Sequence, residues 1–248
     1  PEIGGGLWQF GTITDIETAS IDGDALPEVI VLNESASGAM VGVFEWNSLT
    51  QTMTSNWVTT CDNATDIRVG DIDNDGDDDI GVFDSSEMQM CVHFANALGL
   101  SAVSNYSLPS GSIDAHLADL DGDGSAELIS ASSGGDLNLR VWDSGSGAFG
   151  ENQTQMVEAN ESVGMPAQLN GLITGEFHGV GNDSSVVVFD SMGHATLWNW
   201  SGSAWIGPMN FFDGIKGGTL VHDFDSNGYA DIIGTADGMI TLALFNGT

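Results

Sequence analysis

The sequence predicts an all-β chain folded as a five-bladed β-propeller of four-stranded antiparallel blades, closed by an N-terminal strand that completes the last blade. Three observations carry this. An acidic nine-residue loop recurs with starts at residues 20, 71, 119, 176 and 223, a period of roughly fifty residues. Each copy lies between short β-branched runs. The two chain ends read as complementary pieces of a single blade.

The best copy, residues 71–79, is D-I-D-N-D-G-D-D-D. Carboxylates at places one, three, five and nine, with Gly76 at place six, suit a hard cation, because Ca²⁺ takes six to eight oxygens in irregular geometry. Asp71, Asp73, Asp75 and Asp79 are the side-chain candidates, and Asp77 offers its backbone carbonyl. Without a cation, four carboxylates this close repel one another. Residues 119–127 repeat the pattern with Asp119, Asp121, Asp123, Ser125 and Glu127. Residues 223–231 repeat it with Asp223, Asp225, Asn227, Tyr229 and Asp231. A weaker copy carries Ser20, Asp22, Asp24, Leu26 and Glu28, with Ala25 where the glycine stands elsewhere. In the copy at 176–184, Val180 and Ser184 replace two carboxylates, so no ion is expected there.

The flanking runs settle the secondary structure. I-R-V-G (67–70) and A-H-L-A (115–118) precede loops, and I-G-V-F (80–83), L-I-S-A (128–131) and V-V-V-F (186–189) follow them. Short, β-branched and bounded by Gly, Ser and Asp, they are strands. An EF-hand is excluded, since it needs flanking helices and a glutamate at place twelve, here Val31, Val82, Ser130, Val187 or Gly234. A third strand follows in each repeat: 40–46, 88–94, 137–142, 195–200 and 239–245. A hairpin then leads to a fourth, as in W-D-S-G-S-G-A-F (142–149) and W-S-G-S-A-W (200–205).

Repeats beginning near 12, 66, 113, 171 and 218 give one domain spanning 1–248. The last repeat stops after its third strand, and residues 4–11 supply the missing fourth, which would remove two exposed sheet edges. Pro1 in place of Met reads as a mature or excised segment.

The chain has 248 residues and a net charge of −33. Acidic content is ordinary; the anomaly is that Arg68, Arg140 and Lys216 are the only fixed cations. Four bound Ca²⁺ would leave about −25. Nothing here neutralises phosphates, which argues against nucleic acid or an anionic membrane as partner. No apolar run is long enough to span a membrane.

Eight N-x-[ST] sequons fall at Asn33, Asn63, Asn105, Asn152, Asn160, Asn182, Asn199 and Asn246, and several are expected to carry glycans on turns or outer strands. Cys61 and Cys91 belong to one sheet, which permits a disulfide or two buried thiols. His93, His116, His178, His194 and His222 show no metal-ligand spacing, and the seven tryptophans suit packing between blades. No nucleophile elbow, phosphate loop or Cys–His pair is present, so an enzyme is not expected.

The motifs D-I-D-N-D-G-D-D-D-I-G-V-F, D-L-D-G-D-G-S-A-E-L-I-S and D-F-D-S-N-G-Y-A-D-I-I-G resemble the FG-GAP/VCBS repeat family of integrin-α-like calcium-loop propellers. The resemblance implies Ca²⁺ in the loops at 71, 119 and 223, and extends to the weakened loop at 20. It implies an extracellular, cell-surface, non-catalytic module for adhesion, with a glycan or protein as ligand. The alternative is a glycosylated subunit of a surface layer or filament that assembles with its own copies. A polysaccharide-active enzyme or its accessory domain is the more distant reading. The binding surface would lie opposite the calcium loops, where Ala159–Asn170 is the longest connection.

Overall fold

The computed structural model describes residues 11–24, 26–35, 38–96, 99–160, 165–166, 168–177 and 185–246. All regular structure in them is β, and the fold is the five-bladed β-propeller expected. The chain divides into two compact units, Pro1–Leu108 with two blades and Pro109–Thr248 with three.

In the first unit, blade one comprises β1 (Thr12–Ala19), β2 (Glu28–Ser35), β3 (Gly38–Asn47) and β4 (Thr52–Thr59), paired antiparallel in that order. Blade two repeats this with β5 (Ala64–Gly70), β6 (Asp79–Asp84), β7 (Gln89–His93) and β8 (Ser104–Ser107). Ile30, Leu32, Val41, Ile67, Ile80 and Val82 join the two sheets in one core. Cys61 and Cys91 are disulfide-bonded within it.

In the second unit, blade three comprises β9 (Ser112–Ala118), β10 (Glu127–Ser132), β11 (Asp136–Arg140) and, beyond a hairpin of β12 (Trp142–Asp143) with β13 (Ala148–Phe149), β14 (Gln153–Met156). A second hairpin pairs β15 (Glu158–Asn160) with β16 (Met165–Pro166). Blade four comprises β17 (Leu169–Gly175), β18 (Ser185–Asp190), β19 (His194–Trp200) and β20 (Trp205–Asp213). Blade five comprises β21 (Gly217–His222), β22 (Asp231–Ala236) and β23 (Met239–Ala243). One core lies between blades three and four, and another between four and five.

Burial follows position within the blade. β6, β10 and β18 are buried along their whole length, because each has a strand on both sides and a blade on a face. That explains why these runs read as continuous rather than alternating. The outer β4, β8 and β14 are largely exposed. Gly42 lets the Trp57 ring lie on the backbone, since an added Cβ would stand 2.6 Å from it.

Two expectations need correction. The third strand expected over 137–142 ends at Arg140, whose guanidinium donates to the carbonyls of Phe149 and Gly150 beside the hairpin at 142–149. The connection at 159–170 is not an open loop throughout, since it contains most of the β15–β16 hairpin and the start of β17. The proposed closing strand at 4–11, apart from Gly11, lies outside the described residues, as do His178, Trp8 and most of the loop at 176–184.

One device recurs on the first strands. Each carries a register shift just before the residue five places ahead of its loop, at Asp15, Asp66, Asp114 and Gly171, and at the corresponding stretch of β21. The bulge re-aims that side chain. Asp15 Oδ2 thereby accepts the amide N–H of Ile67 on the next blade at 2.8 Å, and Asp114 Oδ2 accepts that of Leu172 at 3.1 Å.

Candidate metal centres

Every loop joins the first strand of a blade to the second, so the pair of strands clamps its ends. Among the described residues, four sets of carboxylates have ligand atoms within 4.8 Å of one another: Asp71, Asp73, Asp79; Asp119, Asp121, Glu127; Asp223, Asp225, Asp231; and Asp22, Asp24, Glu28. Three loops therefore use places one, three and nine, and the weakened one uses three, five and nine.

The ninth residue is buried in all four loops and accepts the N–H of the second: Ile72 to Asp79 at 2.9 Å, Leu120 to Glu127 at 2.7 Å, Phe224 to Asp231 at 2.8 Å and Ile21 to Glu28 at 3.0 Å. The other oxygens of Asp79 and Asp231 take the N–H of Ala95 and Phe245, where the third strand ends. The first residue folds the loop. Asp71 accepts from Asp75 and Gly76, Asp119 from Gly122 and Gly124, and Asp223 from Asn227 and Gly228.

At place five, Asp75, Asp123 and Asn227 each accept the N–H of the seventh residue, Asp77, Ser125 or Tyr229, on Oδ1. Asp24 accepts from Leu26 in the same way, yet also belongs to its triad. The sixth-place glycines stand at φ +96° (Gly76), +94° (Gly124) and +92° (Gly228), as the turn requires. The fourth place is left-handed too, at Gly23, Asn74, Gly122 and Ser226. Sequence reasoning passed over it, although Gly and Asn there are the signal.

The electrostatics call for a positive partner. Burial pushes the Asp79 carboxyl up to about 7 and that of Glu127 to about 8, and raises Glu28 and Asp73. Asp73 Oδ1 and Glu127 Oε1 are buried without a hydrogen-bond partner. A buried, unsatisfied carboxylate oxygen is costly unless a proton or cation meets it. An all-oxygen carboxylate donor set fits Ca²⁺ rather than a soft metal.

A family model described as FG-GAP-like repeat matches residues 21–82. The chain carries an FG-GAP-like repeat. The match runs from the weakened loop through the loop at 71–79 to β6, and so covers both acidic loops of the first unit. No curated protein sequence matches the chain. Solved structures similar to it include BBS1N in complex with ARL6DN, soaked with lead, at 13% identity and TM-score 0.62, covering 94% of this chain and 61% of that one. The mercury-soaked form of that complex gives 12% and 0.59, covering 95% and 65%. A protein from Lactobacillus plantarum gives 13% and 0.61, covering 97% and 72%. At such identities the likeness is one of fold. The chain thus spans less than two thirds of the BBS1N chains.

The remaining expected residues are placed as follows. Asn63, Asn105, Asn152 and Asn246 are exposed, and Asn199 is half-buried. Asn33 is buried within β2, a poor position for a glycan. The Asn160 side chain and Asn182 lie outside the described residues. His93 is fully buried, His194 pairs with Asp190 at 3.0 Å, and none of the described histidines joins an acidic triad. Trp200 and Trp205 meet edge to face at 5.5 Å across the hairpin between β19 and β20. No described helix is long and apolar enough to cross a membrane.

Proposed function

We propose that this chain is a calcium-stabilised, extracellular, non-catalytic propeller that serves as a cell-surface adhesion module, binding a glycan or a protein. The observation that carries it is the buried, partnerless Oε1 of Glu127 beside Asp119 and Asp121, together with the buried, partnerless Oδ1 of Asp73 beside Asp71 and Asp79. Ca²⁺ there would draw on Asp71, Asp73 and Asp79, on Asp119, Asp121 and Glu127, on Asp223, Asp225 and Asp231, and on Asp22, Asp24 and Glu28. The ion would supply charge neutralisation, and binding restricted to the folded form adds to stability. Extracellular modules bind in the range of about 10⁻⁴ to 10⁻³ M, which suits a compartment rich in calcium. The Cys61–Cys91 disulfide favours an oxidising location.

A glycan array probed with calcium-loaded protein tests the ligand class. Chelator-sensitive binding to a defined glycan supports the reading, whereas a blank array directs the search to protein ligands. A second reading, a subunit of a surface assembly, rests on β23: Met239, Ile240 and Leu242 are exposed on a strand with no outer neighbour among the described residues. Under that reading the purified protein runs as concentration-dependent oligomers on sizing, and a monomer at all concentrations contradicts it.

A further inference from the structure

The loop at 71–79 holds two carboxylates, Asp77 and Asp78, beyond its triad of Asp71, Asp73 and Asp79 and the amide-accepting Asp75. Asp78 occupies the eighth place, where the other described loops have Pro27, Ala126 and Ala230. It belongs to no acidic triad. Its Oδ2 instead accepts the amide N–H of Ser20 at 2.9 Å, and its own N–H donates to the Ser20 carbonyl at 2.7 Å. Ser20 is the first residue of the weakened loop, the place where a carboxylate is missing.

That placement has a physical meaning. In the other three loops the first-place aspartate organises the turn by accepting two of its amides. The Ser20 hydroxyl has one oxygen where those aspartates have two, and among the described residues it donates a long bond of 3.4 Å to the Asp24 carbonyl. The loop at 20–28 is thus held from the neighbouring blade as well as by its own Ile21–Glu28 and Leu26–Asp24 hydrogen bonds. Contact extends further along it: a Cβ on Gly23 would stand 2.9 Å from Asp77 Oδ1, an approach that glycine permits. The backbone half of the joint recurs where Ala230 N–H meets the Glu176 carbonyl at 2.7 Å; the carboxylate half is particular to Asp78.

We propose that Asp78 is a positioning residue that couples the first two loops, so that the loop at 20–28 takes Ca²⁺ well only when the loop at 71–79 is ordered by its own ion. This rests on the calcium reading above. The loop that carries Asp22, Asp24 and Glu28 meets the loop at 71–79 through Asp77 and Asp78. The positional link through Asp78 acts towards positive cooperativity and has to outweigh the mutual repulsion of two like-charged ions.

The test is a calcium titration of the chelator-stripped full chain by NMR, following the amide signals of Gly23 and Gly76. In the wild type, Gly23 responds only as Gly76 saturates. Asp78→Ala shifts the Gly23 midpoint up about tenfold while that of Gly76 moves less than about threefold. Asp78→Asn, which keeps an acceptor oxygen, restores most of the Gly23 response. Asp73→Ala, which disables the second loop, weakens the Gly23 response as Asp78→Ala does. Equal Gly23 midpoints in wild type and Asp78→Ala overturn the coupling while leaving the calcium sites standing. Silence of both glycines in the wild type overturns the calcium reading itself.

Discussion

Glu127 accepts the Leu120 amide N–H at 2.7 Å on one oxygen and holds the other, Oε1, buried with no hydrogen-bond partner. Glu127→Gln keeps the shape and removes the charge. In calcium the variant binds one equivalent fewer and melts lower; for a chain of this size each kcal/mol lost moves Tm by about 2–4 °C. In chelator the order reverses, because the buried charge is gone. Calorimetric counting and paired melts check both halves.

The bulged aspartates predict a cost confined to the joints between blades. Asp114→Ala strands the Leu172 amide at the blade three–four interface and lowers stability by about 1–3 kcal/mol. Asp15→Ala does the same to Ile67 at the first joint. Denaturant melts read both, and neither variant changes calcium stoichiometry.

His93 makes the protein acid-sensitive. The ring is fully buried, its Nδ1 lies 3.1 Å from the Ser101 carbonyl, and Nε2 has no hydrogen-bond partner. Burial holds the imidazole below the ordinary value of 6.5. Between that lowered value and 6.5 the unfolded chain binds more protons, so stability falls as pH drops below 6.5. His194 has the opposite sign: the Asp190 hydrogen bond raises it, and its small contribution fades as pH rises through the raised value. His93→Phe flattens the acid limb of a Tm–pH curve measured in saturating calcium.

The disulfide closes a segment of 30 residues between the chain before β5 and β7. In the chain-entropy account such a crosslink contributes about 3–4 kcal/mol. Reductant lowers Tm accordingly, and the untreated protein shows no reactive thiol under denaturing conditions.

The repeat period, the strand runs and the loop glycines were legible in the sequence because each is a local signal. Gly76, Gly124 and Gly228 announce a positive φ, and their spacing announces the blades. Which carboxylates pack within 4.8 Å of one another was not legible in the sequence. Which of the alternating aspartates gather depends on the clamp made by Ile72 with Asp79 and its counterparts, while Asp75 and Asp123 turn to local amides. Asp15, Asp78 and Asp114 escaped notice because their partners lie 52 to 58 residues away, one repeat on, and a repeat read singly does not show its neighbour. The hairpin of β12 and β13 depends on where the Arg140 guanidinium lands, which spacing does not encode.

The central claim is that divalent cations complete these loops. Isothermal calorimetry on the chelator-stripped chain, with Tm followed in parallel, tests it most directly. The account predicts three or four Ca²⁺ per chain and a Tm that climbs with each equivalent; no heat of binding, with a Tm indifferent to calcium, would contradict it.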